Sequence, residues 1–360
     1  MEGARIMSKG DMKQYLYSRF NGDIVYASST PAVVLGGLKS SRVTIPLELS
    51  RIENATLKQA LLEIGVKAPQ ERFLWRLKLN GVPVAREFKP SIVAELKNMY
   101  FSKVVYDVTP LFDAFRRRSR CNVTFKYESS STITIEHVAL LILYESSDAV
   151  SHISFLSGAL SLEPGESIEV FIKHPTGLNT PGLLKTVMIM PSTQAKALLK
   201  MNNHEPKIVG GIVGGEEAVL KLDKIEEMNT LLINHAEPET RYFPKELLVS
   251  SVLLSQITYK EPRLVVEDII VPNRISRGEK IKIIISNKGD AKPDKSLITL
   301  MHLGSSIYRK ELPPLDPGEE TIIEIPIKLP RGRYNLVARI IWRKLSRTVF
   351  TDTRFEVYVE

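Results

Sequence analysis

The segment Phe73-Leu-Trp-Arg-Leu-Lys-Leu-Asn-Gly81 decides the fold class of this chain. Apolar and basic residues alternate along it, which is the period of a β-strand with one buried face. Trp75 and the leucines around it should share the buried face, while Arg76 and Lys78 face solvent. Asn80-Gly81 is the strongest short signal of a two-residue hairpin turn. The segment therefore predicts a half-buried strand that returns as a hairpin.

The same pattern of short strands extends on both sides of this hairpin. It begins at Val43-Thr-Ile-Pro-Leu-Glu-Leu49 and continues to the end of the chain, with turn residues between the strands. Only residues 92–100 and 110–116 read as short helices or turns. The second of these opens with Thr109-Pro110, which suits an N-cap followed by proline at the first helical position. We therefore predict an all-β protein composed of β-sandwiches.

Two stretches in the middle of the chain share one order of features. In residues 77–144 and again in residues 198–254, an asparagine in a short apolar strand is followed by a polar loop and a longer apolar strand. We interpret the two stretches as tandem jelly-roll or β-sandwich lobes. Proteins with tandem lobes of this kind have binding or structural roles more often than catalytic ones.

The chain length and one clear break define the expected domains. A chain of 360 residues suits two or three domains, each with its own core. The segment Tyr259-Lys-Glu-Pro262 interrupts the strand pattern, and the short strands and glycine turns that follow are typical of an immunoglobulin-like sandwich. The expected domains are an N-terminal arm (residues 1–42), a first lobe (43–148), a second lobe (149–261) and an immunoglobulin-like domain (262–360).

The N-terminal arm contains apolar residues without enough periodic sequence to form a core. Ile24, Val25 and Tyr26 form a strand-prone triplet within it. Two interpretations stay open. The triplet pairs with the sheet edge of a neighbouring molecule by strand addition, or the arm packs on its own lobe as the first strand. In the first case these three residues are contacts between subunits of a homo-oligomer or polymer.

The charge of the chain favours acidic partners only weakly. Its 49 basic and 41 acidic residues give a formal net charge of +8. One dense basic cluster is formed by Arg116, Arg117, Arg118 and Arg120, which either meets an acidic surface or is a solvated helix end. A nucleic-acid role would also want aromatic platforms or a known recognition fold, so the sequence argues against that partner.

Recognisable catalytic and metal-binding patterns are missing from the sequence. The single cysteine, Cys121, excludes an internal disulfide, and the six histidines lack the spacing of a zinc site. Asp107 is best explained as a cap of the turn Asp107-Val-Thr-Pro110. The glycine string of residues 209–215 lacks the ending of a phosphate-binding loop and is expected to be a turn. We therefore name no catalytic residue, no cofactor and no metal ligand.

Residues 263–360 carry a group of motifs found together in one known family. The domain resembles the cell-adhesion-related (CARDB-like) β-sandwich domain of bacterial and archaeal surface proteins. This resemblance implies an immunoglobulin-like architecture and no chemistry. It is carried by Leu264-Val-Val-Glu-Asp-Ile-Ile-Val-Pro272, Gly278-Glu-Lys-Ile-Lys-Ile, Ser286-Asn287-Lys-Gly289, Leu315-Asp-Pro-Gly-Glu319 and Gly332-Arg-Tyr-Asn.

Residues 43–260 resemble the two-lobed β domain of archaeal surface proteins of unknown function. The motifs that carry this second resemblance are Leu79-Asn80-Gly81, Tyr106-Asp107-Val108-Thr109, the Asn122-Val-Thr strand and Leu141-Ile-Leu-Tyr144-Glu145. The resemblance implies a place at the cell surface. The sequence itself shows neither a secretory signal peptide nor an apolar run of the ~18 residues that a transmembrane helix needs, which favours the cytoplasm.

These observations together predict a non-enzymatic structural or interaction protein. We expect a subunit of a larger surface, filament or coat assembly that associates by β-strand addition. The alternative is a carbohydrate-binding or adhesive module, in which Tyr100, Phe101, Tyr242 and Phe243 would stack on a sugar. An enzyme is a third hypothesis, and it would require two carboxylates about 5 to 9.5 Å apart in a groove.

Overall fold

The computed structural model describes residues 9–50, 55–112, 119–236, 246–272, 274–276 and 278–360. Strands account for 69% of the described residues and helix for 1%, which confirms the predicted all-β sandwich class. The chain divides into two compact units. Unit 1 comprises residues 1–50 and 56–258, and unit 2 comprises residues 51–55 and 259–360.

Unit 1 consists of β-strands joined by turns and one helical turn. Its described elements, in chain order, are β1 (Lys9–Ser29), β2 (Val33–Gly36), β3 (Arg42–Glu48), β4 (Thr56–Ala68), β5 (Phe73–Leu79), β6 (Val82–Phe88), β7 (Ile92–Glu95), β8 (Tyr100–Asp107), α1 (Thr109–Phe112), β9 (Arg120–Lys126), β10 (Thr132–Leu162), β11 (Ser167–Lys173), β12 (Gly182–Met190), β13 (Lys196–Met201), β14 (Lys207–Gly210), β15 (Gly214–Leu222), β16 (Met228–Ala236) and β17 (Leu247–Tyr259).

The hairpin that decides the fold class is present as predicted. Strands β5 and β6 are joined by Asn80 and Gly81, whose φ angles of 48° and 89° are the left-handed values that a tight hairpin turn requires. Trp75 is buried, whereas Arg76 and Lys78 are exposed. The alternation in the sequence therefore corresponds to the two faces of the strand.

Unit 1 contains one large sheet and two smaller ones. The large sheet has the order β15-β12-β17-β10-β4-β8-β7, and β1 and β2 also pair with β10. The smaller sheets have the orders β3-β9-β5-β6 and β11-β16-β13-β14. The second small sheet and the β12, β15 and β17 part of the large sheet share one apolar core, which includes Leu199, Leu231 and Val252.

The two small sheets repeat one connectivity. The third strand of each sheet is followed by an asparagine with a left-handed φ angle, 48° at Asn80 and 46° at Asn202. The side-chain oxygen of Asn80 accepts a bond from the backbone N–H of Asn122 at 2.9 Å, and that of Asn202 accepts one from Thr230 at 2.7 Å. The asparagines that recur in the sequence therefore stand at equivalent turns.

Strand β10 crosses the expected boundary between the lobes at residues 148 and 149. Its first part pairs with β4 through residues 134–145, and β1 pairs with β10 over residues 138–161. At the expected boundary the register between β1 and β10 is irregular, because it passes from Glu145 opposite Gly22 to Val150 opposite Asn21 and skips residues 146–149. The two expected lobes are therefore joined by one long strand with a bulge near the boundary.

The N-terminal arm belongs to the sheet of its own chain. Residues 9–29 form β1, which pairs with β10 from Lys9 opposite Ser161 to Ser29 opposite Val138. Residues 33–36 form β2 and pair with residues 132–135 of β10. Of the two interpretations of the arm, the structure adopts the second, in which the arm is the first strand.

Of the two alternatives for residues 92–100, a short helix is wrong and a turn is correct for residues 96–99, where the N–H of Leu96 donates to the carbonyl oxygen of Met99. Residues 92–95 form β7, which pairs with β8 through Ile92 opposite Lys103. Pairing with a neighbouring strand outweighs the weak local preference of so short a segment. The helix expected over residues 110–116 occurs as α1, which covers Thr109–Phe112, while residues 113–118 lie outside the described residues.

The large sheet has a half-sheet on each side of β10, one formed by β4, β8 and β7 and the other by β17, β12 and β15, and the two half-sheets pack on each other. One apolar cluster combines Leu61 of β4 with Phe155 of β10 and Leu253 of β17. A second cluster joins Phe101 of β8 to Leu248 of β17. The interior of unit 1 therefore includes a layer between the two half-sheets, in addition to the cores of the two sandwiches.

Unit 2 is a sandwich of two sheets with the orders β18-β19-β22 and β21-β20-β23-β24. Its apolar core joins isoleucines of β19 and β22 to residues of β20 and β23, among them Ile283, Ile298 and Trp342. The strands of unit 2 are β18 (Leu264–Ile270), β19 (Lys280–Asn287), β20 (Lys295–His302), β21 (Ser305–Glu311), β22 (Glu320–Pro326), β23 (Gly332–Lys344) and β24 (Arg347–Val359).

Candidate functional site

The three residues predicted as contacts of the arm lie inside unit 1. Ile24, Val25 and Tyr26 pair with residues 141–143 of β10, and Val25 is buried. The hydroxyl of Tyr26 lies 3.1 Å from the hydroxyl of Ser251, and burial raises the pKa of Tyr26 well above its usual value. The backbone of this triplet is therefore engaged by the sheet of its own chain.

The predicted basic cluster is represented in the structure by Arg120. This residue begins β9, is exposed, and donates from Nε to Glu48 Oε1 at 2.6 Å across the β3–β9 pair. Arg116, Arg117 and Arg118 lie outside the described residues. The sequence-based interpretation of those three arginines stays a prediction.

The aromatic residues proposed for sugar stacking do not form an exposed group. Phe101 is fully buried in the layer between the half-sheets, where it contacts the cluster that contains Ala94 and Leu248. Tyr100 is half-buried, and Tyr242 and Phe243 lie outside the described residues. A sugar could not reach the face of Phe101, so this residue is removed from the carbohydrate-binding hypothesis.

A cluster of charged and polar side chains is enclosed between the half-sheets of unit 1. Lys103 of β8 places Nζ 2.8 Å from Glu63 Oε1, 2.9 Å from His137 Nδ1 and 2.7 Å from Ser250 Oγ. The side chains of Lys103 and Glu63 are 0% and 1% exposed. Four strands therefore converge on the buried amino group of Lys103.

Gly65 makes room for this cluster. It stands directly opposite His137 of β10 on one side and Lys103 of β8 on the other. A Cβ atom at residue 65 would lie 3.1 Å from Lys103 Cδ and 3.3 Å from His137 Cβ, which is tighter than ordinary contact. The missing side chain lets the lysine and the histidine meet over the strand between them.

Burial shifts all three titratable groups of the cluster towards their neutral forms. It raises the pKa of Glu63 and lowers the pKa of Lys103, while the attraction between the two charges opposes both shifts. Burial, and then the charge of Lys103, lowers the pKa of His137 well below its usual value. His137 is therefore a neutral hydrogen-bonding partner, and the cluster works as a polar tie between strands.

A second pair of buried imidazoles lies where β10 meets the segment after β11. His152 Nδ1 is 3.0 Å from the carbonyl oxygen of Pro175, and His174 Nδ1 is 3.0 Å from Ser154 Oγ. Burial lowers the pKa of His152, and burial followed by the neighbouring His152 lowers the pKa of His174 to about 4. Both rings are neutral at pH 7 and pack as part of the core.

The described residues contain neither a candidate metal site nor a candidate membrane-spanning helix. Within the residues that the structure describes, no group of three or more histidine, cysteine, aspartate and glutamate side chains could hold a metal ion. No helix in this part of the chain is long and apolar enough to cross a bilayer.

Strand β24 forms one edge of the sheet β21-β20-β23-β24 in unit 2. It is 13 residues long and pairs with β23 on one side in a continuous register. Phe350 and Tyr358 are 58% and 44% exposed on its outer face. On the same face, Asp352 and Glu356 accept two bonds each from Arg339 and Arg333, at 2.7 and 2.8 Å in both pairs.

The orientation of the free edge of β24 follows from one bridge at its end. The backbone N–H of Ile275 donates to the oxygen of Tyr358, and the N–H of Glu360 donates to the oxygen of Ile275. Tyr358 and Glu360 therefore direct these groups away from β23. Because alternate residues of a strand direct their backbone groups to the same side, the other even-numbered residues of β24 also direct their N–H and C=O groups away from β23. In the described structure, no other backbone hydrogen bond meets this edge between residues 348 and 356.

The sequence contained weak signals for both features. Glu63 stands within the apolar run Ala60-Leu-Leu-Glu-Ile-Gly-Val66, where an ionisable residue needs a buried partner. Its partners Lys103 and Ser250 are distant in the chain, so the run alone could not identify them. The alternation of exposed and less exposed residues along β24 is a local property, but its status as a sheet edge depends on the order of strands.

No protein-family model and no curated protein matches the sequence. The chain is similar to the CARDB domain of a Pyrococcus furiosus protein solved in complex with di-metal ions, with 17% identity over 28% of this chain and 96% of that domain, and a TM-score of 0.24. It is also similar to the Endo-D glycoside hydrolase domain of Streptococcus pneumoniae R6, with 10% identity, 56% and 33% coverage and a TM-score of 0.20.

A third similar structure is a calcium binding mutant of β-glucuronidase 2 from Bacteroides uniformis, with 13% identity and a TM-score of 0.22. The match covers 56% of this chain and 26% of the glucuronidase, so the chain spans about a third or less of either hydrolase. All three TM-scores are below 0.5. These neighbours therefore support no functional argument for this chain.

Proposed function

We propose that this protein is a non-enzymatic structural or interaction protein, a subunit of a larger assembly that associates by β-strand addition. The free edge of β24 is the observation that carries the proposal. A strand with unpaired N–H and C=O groups is a template for a strand of another molecule.

Several other sheet edges of the described structure contrast with β24. Natural proteins use proline, bulges or short strands to prevent the edges of their sheets from pairing with other chains. Edge strands β3 and β6 contain Pro46 and Pro83, β14 has four residues, and β22 ends at Pro326. The pairing of β18 is interrupted by a bulge between Val266 and Asp268. Edge strands β11 and β15 also have a continuous register and no proline, but they have seven and nine residues, whereas β24 has 13. Among the described edge strands with an uninterrupted register, β24 is therefore the longest.

The enclosure of the ionisable cluster supports the non-enzymatic part of the proposal. A general acid or base has to reach the proton that it transfers, directly or through one water. Glu63, Lys103 and His137 are each at most 1% exposed. Their contacts bind β4, β8, β10 and β17 together, which is a structural use of charged groups.

Multi-angle light scattering of the full chain over a concentration series tests the proposal, together with electron micrographs of the same samples. We expect a mass that rises with concentration and ordered particles at the upper end. A monomer at the highest soluble concentration would refute self-association. The variant Arg76→Gln is a matched control, because it removes an exposed arginine on a different sheet and should leave the mass unchanged.

A further inference from the structure

We propose that the partner of β24 is β24 of a second copy of this chain, paired antiparallel about a twofold axis at Thr353. This inference rests on the proposed function and names the surface, the partner and the register. It would join the two four-stranded sheets into one continuous sheet across the dimer. The interface is isologous, so each residue contact occurs twice.

The backbone of β24 satisfies the geometric requirement for this pairing. Directly opposite residues of an antiparallel pair lie on the same face of the sheet. Even-numbered residues direct their hydrogen-bonding groups outwards, and a centre at Thr353 pairs even-numbered residues with even-numbered ones. Residues 350–356 of the two copies would then exchange about eight backbone hydrogen bonds, because each hydrogen-bonded pair contributes two. The bridge from Ile275 to the end of β24 lies outside this central stretch.

The charges on the outer face select this register. With the axis at Thr353, Asp352 of each copy stands opposite Arg354 of the other. With the axis at Asp352 or at Arg354, that residue would face its own copy, and like charges directly opposite are destabilising. An axis at Phe355 would also set opposite charges against each other, Arg354 against Glu356, but the Thr353 axis is the midpoint of the strand and allows the longest overlap. Charge and overlap together therefore select the Thr353 axis.

Asp352 can take part without losing its present partner. It accepts both bonds of Arg339 in the same sheet, and an ionised carboxylate has about four acceptor sites. Arg354 is exposed and stands two residues along the same face. The pairing would therefore extend an existing ion pair into a row of alternating charges that crosses the interface.

Disulfide trapping in the full chain tests the register. In the proposed dimer, Thr353 faces Thr353 of the second copy in a pair without mutual hydrogen bonds, where the Cα atoms are about 4.5 Å apart. The variant Thr353→Cys should therefore form a covalent dimer under mild oxidation. Thr351→Cys is the matched control, because its two copies would be about 13 Å apart, beyond the reach of a disulfide. The single native cysteine, Cys121, is buried and serves as a common background.

Charge exchange provides an independent test. Arg354→Asp places two carboxylates opposite each other, and Asp352→Arg places two arginines opposite each other. Each variant alone should therefore associate about tenfold or more weakly than the native chain. In an equimolar mixture the two variants complement each other at both positions, and light scattering should show the recovery of a mixed dimer. The Asp352→Arg variant lacks the contact with Arg339 both alone and in the mixture. A dimer that forms only in the mixture therefore reports on the interface and not on the loss of that contact.

The outcomes separate this inference from the proposed function. Trapping at residue 353 but not at 351, with recovery in the mixture, supports the dimer. If the native chain self-associates while neither the trapping nor the charge changes have an effect, the β24 interface is refuted and strand addition elsewhere survives. If the native chain is monomeric throughout, both the inference and the proposed function are refuted.

Discussion

The two units stabilise their interiors with different polar groups. Unit 1 encloses an ion pair, in which Lys103 Nζ lies 2.8 Å from Glu63 Oε1 beside a neutral imidazole. In the described part of unit 2 the polar side chain with 0% exposure is the amide of Asn287, and the ion pair of Lys344 and Asp294 keeps one partner 11% exposed. Asn287 donates to the carbonyl oxygens of Ala291 and Leu315 and accepts the backbone N–H groups of Arg263 and Gly289.

The difference reflects what each interior has to join. In unit 1 the lysine and glutamate connect strands of two half-sheets that pack on each other, and long side chains can cross that distance. In unit 2 one short amide ties the end of β19 to three loops. A buried ion pair is costly to desolvate and gains stability only while both partners remain, whereas an amide has no charge to desolvate. The units should therefore respond differently to substitution and to pH.

The largest expected effect comes from removing one partner of the buried ion pair. Lys103→Met leaves Glu63 without its cation, which should destabilise unit 1 by about 3–5 kcal/mol. Urea unfolding followed by tryptophan fluorescence measures the change. The chain has two tryptophans, so a Trp342→Phe background leaves Trp75 as the reporter of unit 1.

The double variant Lys103→Met, Glu63→Leu is the control for this prediction. With both charges replaced by apolar groups of similar size, the stability should return to the native value or exceed it by about 1–4 kcal/mol. A double variant as unstable as the single one would show that packing, and not an unpaired charge, causes the loss.

The second effect is a pH dependence of unit 1. Burial holds the pKa of His174 at about 4, below the unfolded value of roughly 6.5. As the pH falls, the unfolded chain therefore binds this proton before the folded one does. The contribution of His174 to stability should be complete above pH 6.5 and should decline by up to roughly 3 kcal/mol towards pH 4.

Urea unfolding between pH 4 and pH 8 measures this slope. His174→Gln removes the titrating group and keeps a side chain that can bond to Ser154, so its slope should be shallower. Equal slopes in the native chain and the variant would contradict the assignment to His174.

The third effect tests the amide of unit 2. Asn287→Ala leaves two carbonyl groups and two N–H groups of the backbone without their partner, which should cost about 2 kcal/mol. A Trp75→Phe background leaves Trp342 to report on unit 2. Asn287→Asp keeps the acceptor oxygen but loses the donors, so it should also destabilise the unit. Full stability of Asn287→Asp would mean that the two donated bonds contribute nothing.

The smallest effect concerns the exposed ion pairs of unit 2. Arg333 donates two bonds to Glu356 on the surface of the sheet, where water and salt screen the attraction. Arg333→Gln should leave the urea midpoint of unit 2 unchanged within error. A shift as large as that of Asn287→Ala would overturn the contrast between buried and exposed polar groups in this protein.

Local patterns predicted the elements whose cause is local. The alternation around Trp75 gave the buried and exposed faces of β5, and Asn80-Gly81 gave the turn, because strand period and turn conformation depend on adjacent residues. The motif Ser286-Asn287-Lys-Gly289 marked a turn whose stabilising contacts are now evident. The helix expected over residues 92–100 was wrong because β8 offers that segment a ladder of hydrogen bonds.

The site residues show the opposite case. Lys103 reaches Ser250, which is 147 positions away in the chain, so no spacing in the sequence could have joined them. Ile24, Val25 and Tyr26 are strand residues, as the sequence suggested, but their partner is β10 of the same molecule. Strand propensity indicates that a segment will pair and does not specify with which strand.

The sequence by itself determined that this protein is all-β, where the main hairpin turns, and that a separate sandwich begins near residue 260. These properties follow from side-chain period and backbone preference, which act over a few residues. Only the tertiary structure decided that β10 runs through both lobes, that Glu63 and Lys103 are buried together as a pair, and that β24 is a free edge. These depend on which distant strands become neighbours, and that choice minimises the free energy of the whole chain, not that of any one segment.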